Sequence, residues 1–300
     1  MLRVAAGVVL LVVLTAGAVV ISRAARPAAV VLPQPSTSAP PRPASPPPTT
    51  SPSTPPGPDR SLQTNSLYQI DLGERRTTCD LRVRSPRPPL KSPALAPYLR
   101  EVVDCLVKTF QKPLAAKGFT LVAPTVKTYA KTIKTPCGVY GQDKAPAFYC
   151  SATQTIYWAQ TSDDGDEAYT YARLGYVGLM AHEFGHHLQA VTGMLVAYGR
   201  EYHDTRNKPE RYLLSRRLEL QAQCFEGVFL NRASRSVKLS TYDRSQLRTW
   251  HGYTGDEDPP SHRLPDHGTS AAQNRWLQRG LDSADFGRCN TWKAARKLVK

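Results

Sequence analysis

Apolar and polar positions divide the chain into three stretches. Residues 4–22 carry no charge and are flanked by Arg3 and Arg23. An uncharged apolar run of this length is enough for a membrane-crossing helix. No clear small-x-small cleavage site follows before Arg26, so we expect residues 1–26 to form an uncleaved anchor, a signal peptide being the alternative. In either case the remainder is expected outside the cytoplasm, anchored to the membrane or secreted. Residues 27–59 hold half of the 26 prolines, together with Ser, Thr and Ala. Such a composition cannot bury a core and favours an extended polyproline chain. We take residues 27–64 as a disordered tether, at about 3.1 Å per residue long enough to reach roughly 100 Å.

From residue 65 onward the periodicity becomes that of a folded domain. Leu99, Val102, Val103, Leu106 and Phe110 recur at helical spacing and predict a helix over 93–117. β-like pieces follow at FTLVAPTVKTYA, AFYC and QTIYWAQ. Leu174, Val177, Ala181, Phe184, Leu188 and Val191 then step by three and four, predicting a helix over 167–192. The acidic turn SDDGDE, 162–167, is expected to cap it and Gly193 to end it. Further helices are expected over 209–231, with Pro209 in the first turn, and over 269–281. Helices and strands segregate along the chain rather than alternating, so the expected class is α+β.

Charge and cysteine content narrow the setting. The chain has a formal net charge of +15, and all but three of those net charges lie beyond residue 59. The basic residues are scattered, without an aromatic-rich basic motif or a helix-turn-helix pattern, so no specific nucleic-acid partner is expected. A solvated basic surface explains them, and anionic wall polymers are the partner class that such a surface attracts. All six cysteines lie beyond the tether. An even count in an exported chain reads as disulfides, with 15 possible pairings.

The concentrated chemistry is in AHEFGHHLQA, residues 181–190, which holds three of the seven histidines. His182-Glu183-Phe184-Gly185-His186 is H-E-x-x-H. Residues four apart share a helix face, so His182 and His186 can bind one zinc ion while Glu183 takes a proton from water. The bland alternative is a polar helix face with chance imidazoles. His187 is turned about 100° from His186 and reads as a surface residue or a support to the ligands. A catalytic zinc needs a third protein ligand. The metzincin continuation fails, because Gln189 and Thr192 replace its Gly and last His. Glu219, in RRLELQAQC, is the best remaining candidate, with a salt bridge to Arg216 as the alternative role. His267, in DHGT, is a candidate hydrogen-bond donor to a developing oxyanion; a loop histidine satisfying local backbone is the alternative. Residues 155–159 are the candidate edge strand for pairing with an extended substrate, a plain interior strand being the alternative.

HEFGHHLQ, RRLELQAQCFEGVF, DHGTSAAQNRWLQRGL and CNTW, in that order and preceded by FYC and TIYW, resemble the neutral zinc metallopeptidases of bacterial envelopes. The resemblance covers roughly residues 68–293. It implies a zincin-like, gluzincin-type domain over 65–300, with an active-site helix, a small sheet and a second helix bearing the third ligand. It further implies Zn2+ held by His182, His186 and Glu219, Glu183 as base, and a peptide or protein substrate. Two residues depart from the family pattern: Gln223 stands where the family has Asp, and Ser151 where it has Pro. Since Gln223 lies four residues after Glu219, we expect it to face the metal and accept the N–H of a ligand imidazole, so that Gln223→Asp would tighten zinc. The expected disulfides are Cys79–Cys105, Cys137–Cys150 and Cys224–Cys289; both cysteines of the last pair lie inside family-like motifs. The competing reading is a catalytically weak zincin-like module that binds wall or surface partners.

Overall fold

The computed structural model describes residues 57–141, 145–160, 168–257 and 265–300. The expected anchor, the tether up to residue 56 and the acidic turn 162–167 lie outside them. Among the described residues no helix is long and apolar enough to cross a membrane. Packing begins before residue 65: Leu62 is in the core, and the Arg60 guanidinium donates to the Val191 carbonyl at 3.2 Å.

Six α-helices and a small sheet make up a mixed helix-and-sheet fold among the described residues. Helix α1 (Leu95–Ala115) leads into strands β1 (Thr125–Tyr129), β2 (Ile133–Thr135), β3 (Gly138–Tyr140), β4 (Ala147–Cys150) and β5 (Thr155–Ala159). Then come α2 (Gly175–Val191), α3 (Met194–Asp204), α4 (Lys208–Arg232), α5 (Thr241–Gly252) and α6 (Ser270–Leu281). Strands β2 and β3 form a separate hairpin, while the main sheet has the order β1-β5-β4. In it β5 pairs with β1 in parallel and with β4 antiparallel. The candidate edge strand 155–159 is therefore the central strand, which explains why every one of its residues is buried. The edges are β1 and β4, and β4 is the one that packs against α2.

Helix α2 starts at Gly175, later than the apolar seam suggested, after a short 3-10 turn at Ala168–Tyr171. A Cβ on Gly175 would stand 1.9 Å from the Tyr169 carbonyl oxygen, so the chain folds back on itself there and the helix can begin only afterwards. The predicted stop holds: Gly193 takes φ +80, a conformation open to glycine, and the chain turns at once into α3. Two helices, α3 and α5, were not visible in the periodicity. Helix α5 is set by local chemistry: Ser240 and Asp243 form a reciprocal capping box. The buried Asp243 carboxylate also receives Arg173 through two nitrogens, at 2.7 and 2.8 Å. Burial works against its charge, but Arg173 and the Ser240 hydrogen bonds hold the carboxyl below its ordinary pKa. A depressed pKa stabilises the fold above the unfolded-state value of about 3.9 and ceases to do so as pH falls through the folded value. Asp243→Asn should cost about 1.5–3 kcal/mol at neutral pH. In denaturant melts, the gap from wild type should narrow below about pH 4.

The three expected disulfides are present, Cys79–Cys105, Cys137–Cys150 and Cys224–Cys289. Cys137–Cys150 ties the β2–β3 turn to the end of β4, and Cys224–Cys289 anchors α4 to the C-terminal segment. Both therefore hold elements that border the HExxH helix.

Candidate metal centre

Helices α2 and α4 approach each other closely where Gly185 faces Ala222. A Cβ on Gly185 would lie 3.0 Å from the Ala222 Cα, which is tighter than ordinary packing. One turn away, this approach brings Glu219 of α4 to the two histidines of α2. Glu219 Oε2 lies 3.4 Å from His182 Nε2 and 3.2 Å from His186 Nε2. The third ligand, the Glu219 carboxylate, and the two imidazoles are thus brought together as expected. The alternative partner is otherwise engaged: the Arg216 guanidinium donates to the Val299 and Pro265 carbonyls.

The donor set fits zinc. Ligand atoms about 2.0–2.1 Å from one zinc at tetrahedral angles stand roughly 3.3–3.4 Å apart, close to the separations found. Two imidazole nitrogens and one carboxylate oxygen are also a donor set of catalytic zinc sites. The tautomer is suitable as well. Gln189 donates its amide to the Leu218 carbonyl at 2.8 Å and to Gln221 Oε1 at 3.0 Å, which turns Gln189 Oε1 toward His186 Nδ1 at 2.9 Å. That oxygen can only accept, so Nδ1 carries a proton and Nε2 is the nitrogen left to bind a metal once its own proton is given up. Gln189 is the site residue that the sequence reading passed over; it lies three residues after His186, where a helix places a neighbour.

Electrostatics separate the two glutamates. Burial raises the pKa of Glu183, against the lowering influence of His182, His186 and a hydrogen bond from the Tyr149 backbone N–H. For Glu219 burial acts in the same sense, but the His186 charge and hydrogen bonds from both histidines outweigh it and hold the carboxyl well below its ordinary value. One glutamate is thus suited to holding charge and the other to taking up a proton. His267 stands at the border of the cluster, with Nε2 4.0 Å from Glu219 Oε2. Its Nδ1 donates to Asp266 Oδ1 at 2.6 Å, and Asp256 receives the backbone N–H groups of His267 and Gly268. Burial disfavours its charged form, yet Asp266 and Glu219 raise its pKa to about 9, so Nε2 carries a proton at neutral pH.

Two expectations are corrected here. Of the two readings of His187 the surface one fails: the ring is fully buried, between Tyr149 and Val122. Gln223 does not hold a ligand imidazole. Its amide lies 2.6 Å from Glu226 Oε2 and 2.8 Å from His251 Nε2, in a buried group of three polar residues. Helix α5, which supplies His251, was absent from the sequence reading, and it draws Gln223 away from the metal ligands. An Asp at 223 would lose both donated hydrogen bonds and set a second carboxylate beside Glu226. Gln223→Asp should therefore leave zinc affinity unchanged while costing about 1–3 kcal/mol of stability. Adding Glu226→Gln should recover part of that loss, as measured by denaturant melts of both variants.

The comparisons agree with this geometry. YpfJ of Escherichia coli, an uncharacterized protein, is 32% identical over 200 residues, covering 61% of this chain and 67% of that protein. The uncharacterized protein Rv2575 of Mycobacterium tuberculosis is 28% identical over 214 residues, covering 61% of this chain and 66% of its own. No solved structure matches the chain at a comparable level of significance. The family described as "Putative neutral zinc metallopeptidase" matches residues 90–292, a span that includes all the residues of the cluster. With two thirds of its length inside that match, the chain belongs to the neutral zinc metallopeptidase family.

Proposed function

We propose that this protein is an exported zinc metallopeptidase that hydrolyses peptide bonds. The observation that carries the reading is the convergence of His182 Nε2, His186 Nε2 and Glu219 Oε2 beside the buried carboxyl of Glu183. A bound zinc would supply Lewis acidity, polarising the scissile carbonyl and acidifying water. Glu183 takes the proton of the attacking water and passes it to the leaving amine, a role suited to a carboxyl whose pKa burial has raised. His267 donates from Nε2 to the developing oxyanion, its ring held by Asp266. Strand β4 receives the substrate backbone. The Ala159 N–H donates to the Pro146 carbonyl, so the backbone groups of Ala147 and the carbonyl of Tyr149 are left for the substrate on the free edge, beside α2.

Export and anchoring rest on the apolar run 4–22 and the Pro-rich segment after it, and three disulfides fit an oxidising compartment. Anionic wall polymers remain a proposed partner on the strength of the basic charge alone. Metal analysis of the purified protein, followed by peptide-library cleavage with and without chelator, tests the enzymatic reading. Zinc near one per chain with chelator-sensitive cleavage is expected. Zinc without cleavage of any peptide would point instead to a binding module.

A further inference from the structure

HEFGHH contains three histidines, and the metal cluster uses two. The third, His187, is fully buried on the side of α2 that faces the sheet. Its Nε2 lies 2.7 Å from the Val122 carbonyl oxygen and its Nδ1 2.9 Å from the Tyr149 hydroxyl. A carbonyl only accepts, so Nε2 carries the proton. With Nε2 so occupied, Nδ1 is left to accept from the Tyr149 hydroxyl. The rings of Tyr149 and Phe184 meet the imidazole edge-on, each with centroids 5.3 Å away, which leaves it little freedom to turn.

Tyr149 is held at a second point. Its backbone N–H, on the free edge of β4, donates to the carboxylate of Glu183. Strand β4 is only four residues long and pairs on one side alone, so its own ladder fixes that N–H weakly. We infer that His187, through the Tyr149 hydroxyl, is a positioning residue that fixes the edge of β4 against α2, so that the Tyr149 N–H holds the Glu183 carboxylate in the orientation its proton transfer needs. The inference rests on the peptidase reading for its consequence, but the pin itself is independent of it. One helix would then supply two ligands, the base, and through His187 the means of orienting that base. A displacement of about 1 Å in such a group costs roughly 100-fold in rate.

The test uses Tyr149→Phe, which removes only the hydroxyl, and His187→Gln, whose amide can reproduce the Nε2 donation to Val122 but not the contact with Tyr149. Each should lower kcat about 10- to 100-fold with KM within about twofold and zinc content unchanged. The double variant should be no slower than the slower single one, because both break the same link. Hydrogen exchange at the Tyr149 amide should accelerate in both variants, a readout that needs no activity. Unchanged kcat in Tyr149→Phe, multiplying losses in the double variant, or unchanged exchange at Tyr149 would each overturn the pin. If wild type cleaves no peptide, the peptidase reading fails and amide exchange alone decides whether the pin exists.

Discussion

Replacing Glu183 with Gln should leave the zinc content unchanged and lower peptide hydrolysis by roughly 10²–10⁴-fold. Glutamine preserves the shape of the side chain and can still accept the Tyr149 N–H through its carbonyl oxygen. What it lacks is a basic oxygen. The carboxyl of Glu183 is buried at 6% exposure, and burial raises its pKa, so the substitution removes a proton acceptor rather than a structural charge. His182→Ala and Glu219→Ala should behave differently. Each takes away one of the three donors that converge at the site, and the metal itself should be lost. Metal analysis and single-turnover cleavage on the same preparations separate the two classes. Full activity in Glu183→Gln would remove it as the base, and a zinc-free wild type with these ligands intact would remove the site.

A single methyl group far from the chemistry should have the next largest effect. Helices α4 and α6 pack backbone to backbone through Gly227 and Gly280. A Cβ on Gly280 would stand 2.0 Å from the Cys224 carbonyl oxygen and 2.6 Å from the Val228 nitrogen, both backbone atoms that cannot rotate away. Helix propensity favours alanine over glycine by about 1 kcal/mol. Steric overlap should win by a wide margin, because two helices would have to separate and open the core around Trp276 and Leu277. Gly280→Ala is expected to cost about 3 kcal/mol or more. For a domain of this size that corresponds to a fall in Tm of roughly 6–12 °C. Since α4 carries Glu219, zinc affinity should fall with it, whereas Gly252→Ala, with nothing within 4 Å of the added carbon, should change neither. Equal stability of Gly280→Ala and wild type in calorimetry would contradict the packing described here.

The chemistry of the site was largely legible in the sequence because it is local. H-E-x-x-H fixes the direction of two imidazoles by helix geometry alone, and an apolar seam at steps of three and four is enough to announce the helix that carries them. Pro209 and Gly193 marked a helix start and a helix end for equally local reasons, as ring-fixed φ and a left-handed turn. The third ligand was a different kind of inference. Nothing in RRLELQAQC states that Glu219 turns toward α2 rather than toward Arg216, and the family-like order of motifs supplied the choice, as it did for the pair Cys224–Cys289.

What the sequence by itself determined, then, is the set of groups whose relative positions follow from one turn of one helix: His182, Glu183 and His186. The tertiary structure decided every contact between elements. It made β5 central and β4 the edge, because strand order depends on pairing partners distant in sequence and not on the alternation within a strand. It buried His187 between Tyr149 and Val122, where periodicity gave only an angle around the helix axis. It assigned Gln189 to His186 and Gln223 to Glu226 and His251, reversing their expected importance, because an amide bonds to whichever partner the packing brings within 3 Å. A sequence pattern gives the direction of a side chain from its own backbone; only the packing of α2 against α4, α5 and β4 supplies what that side chain meets.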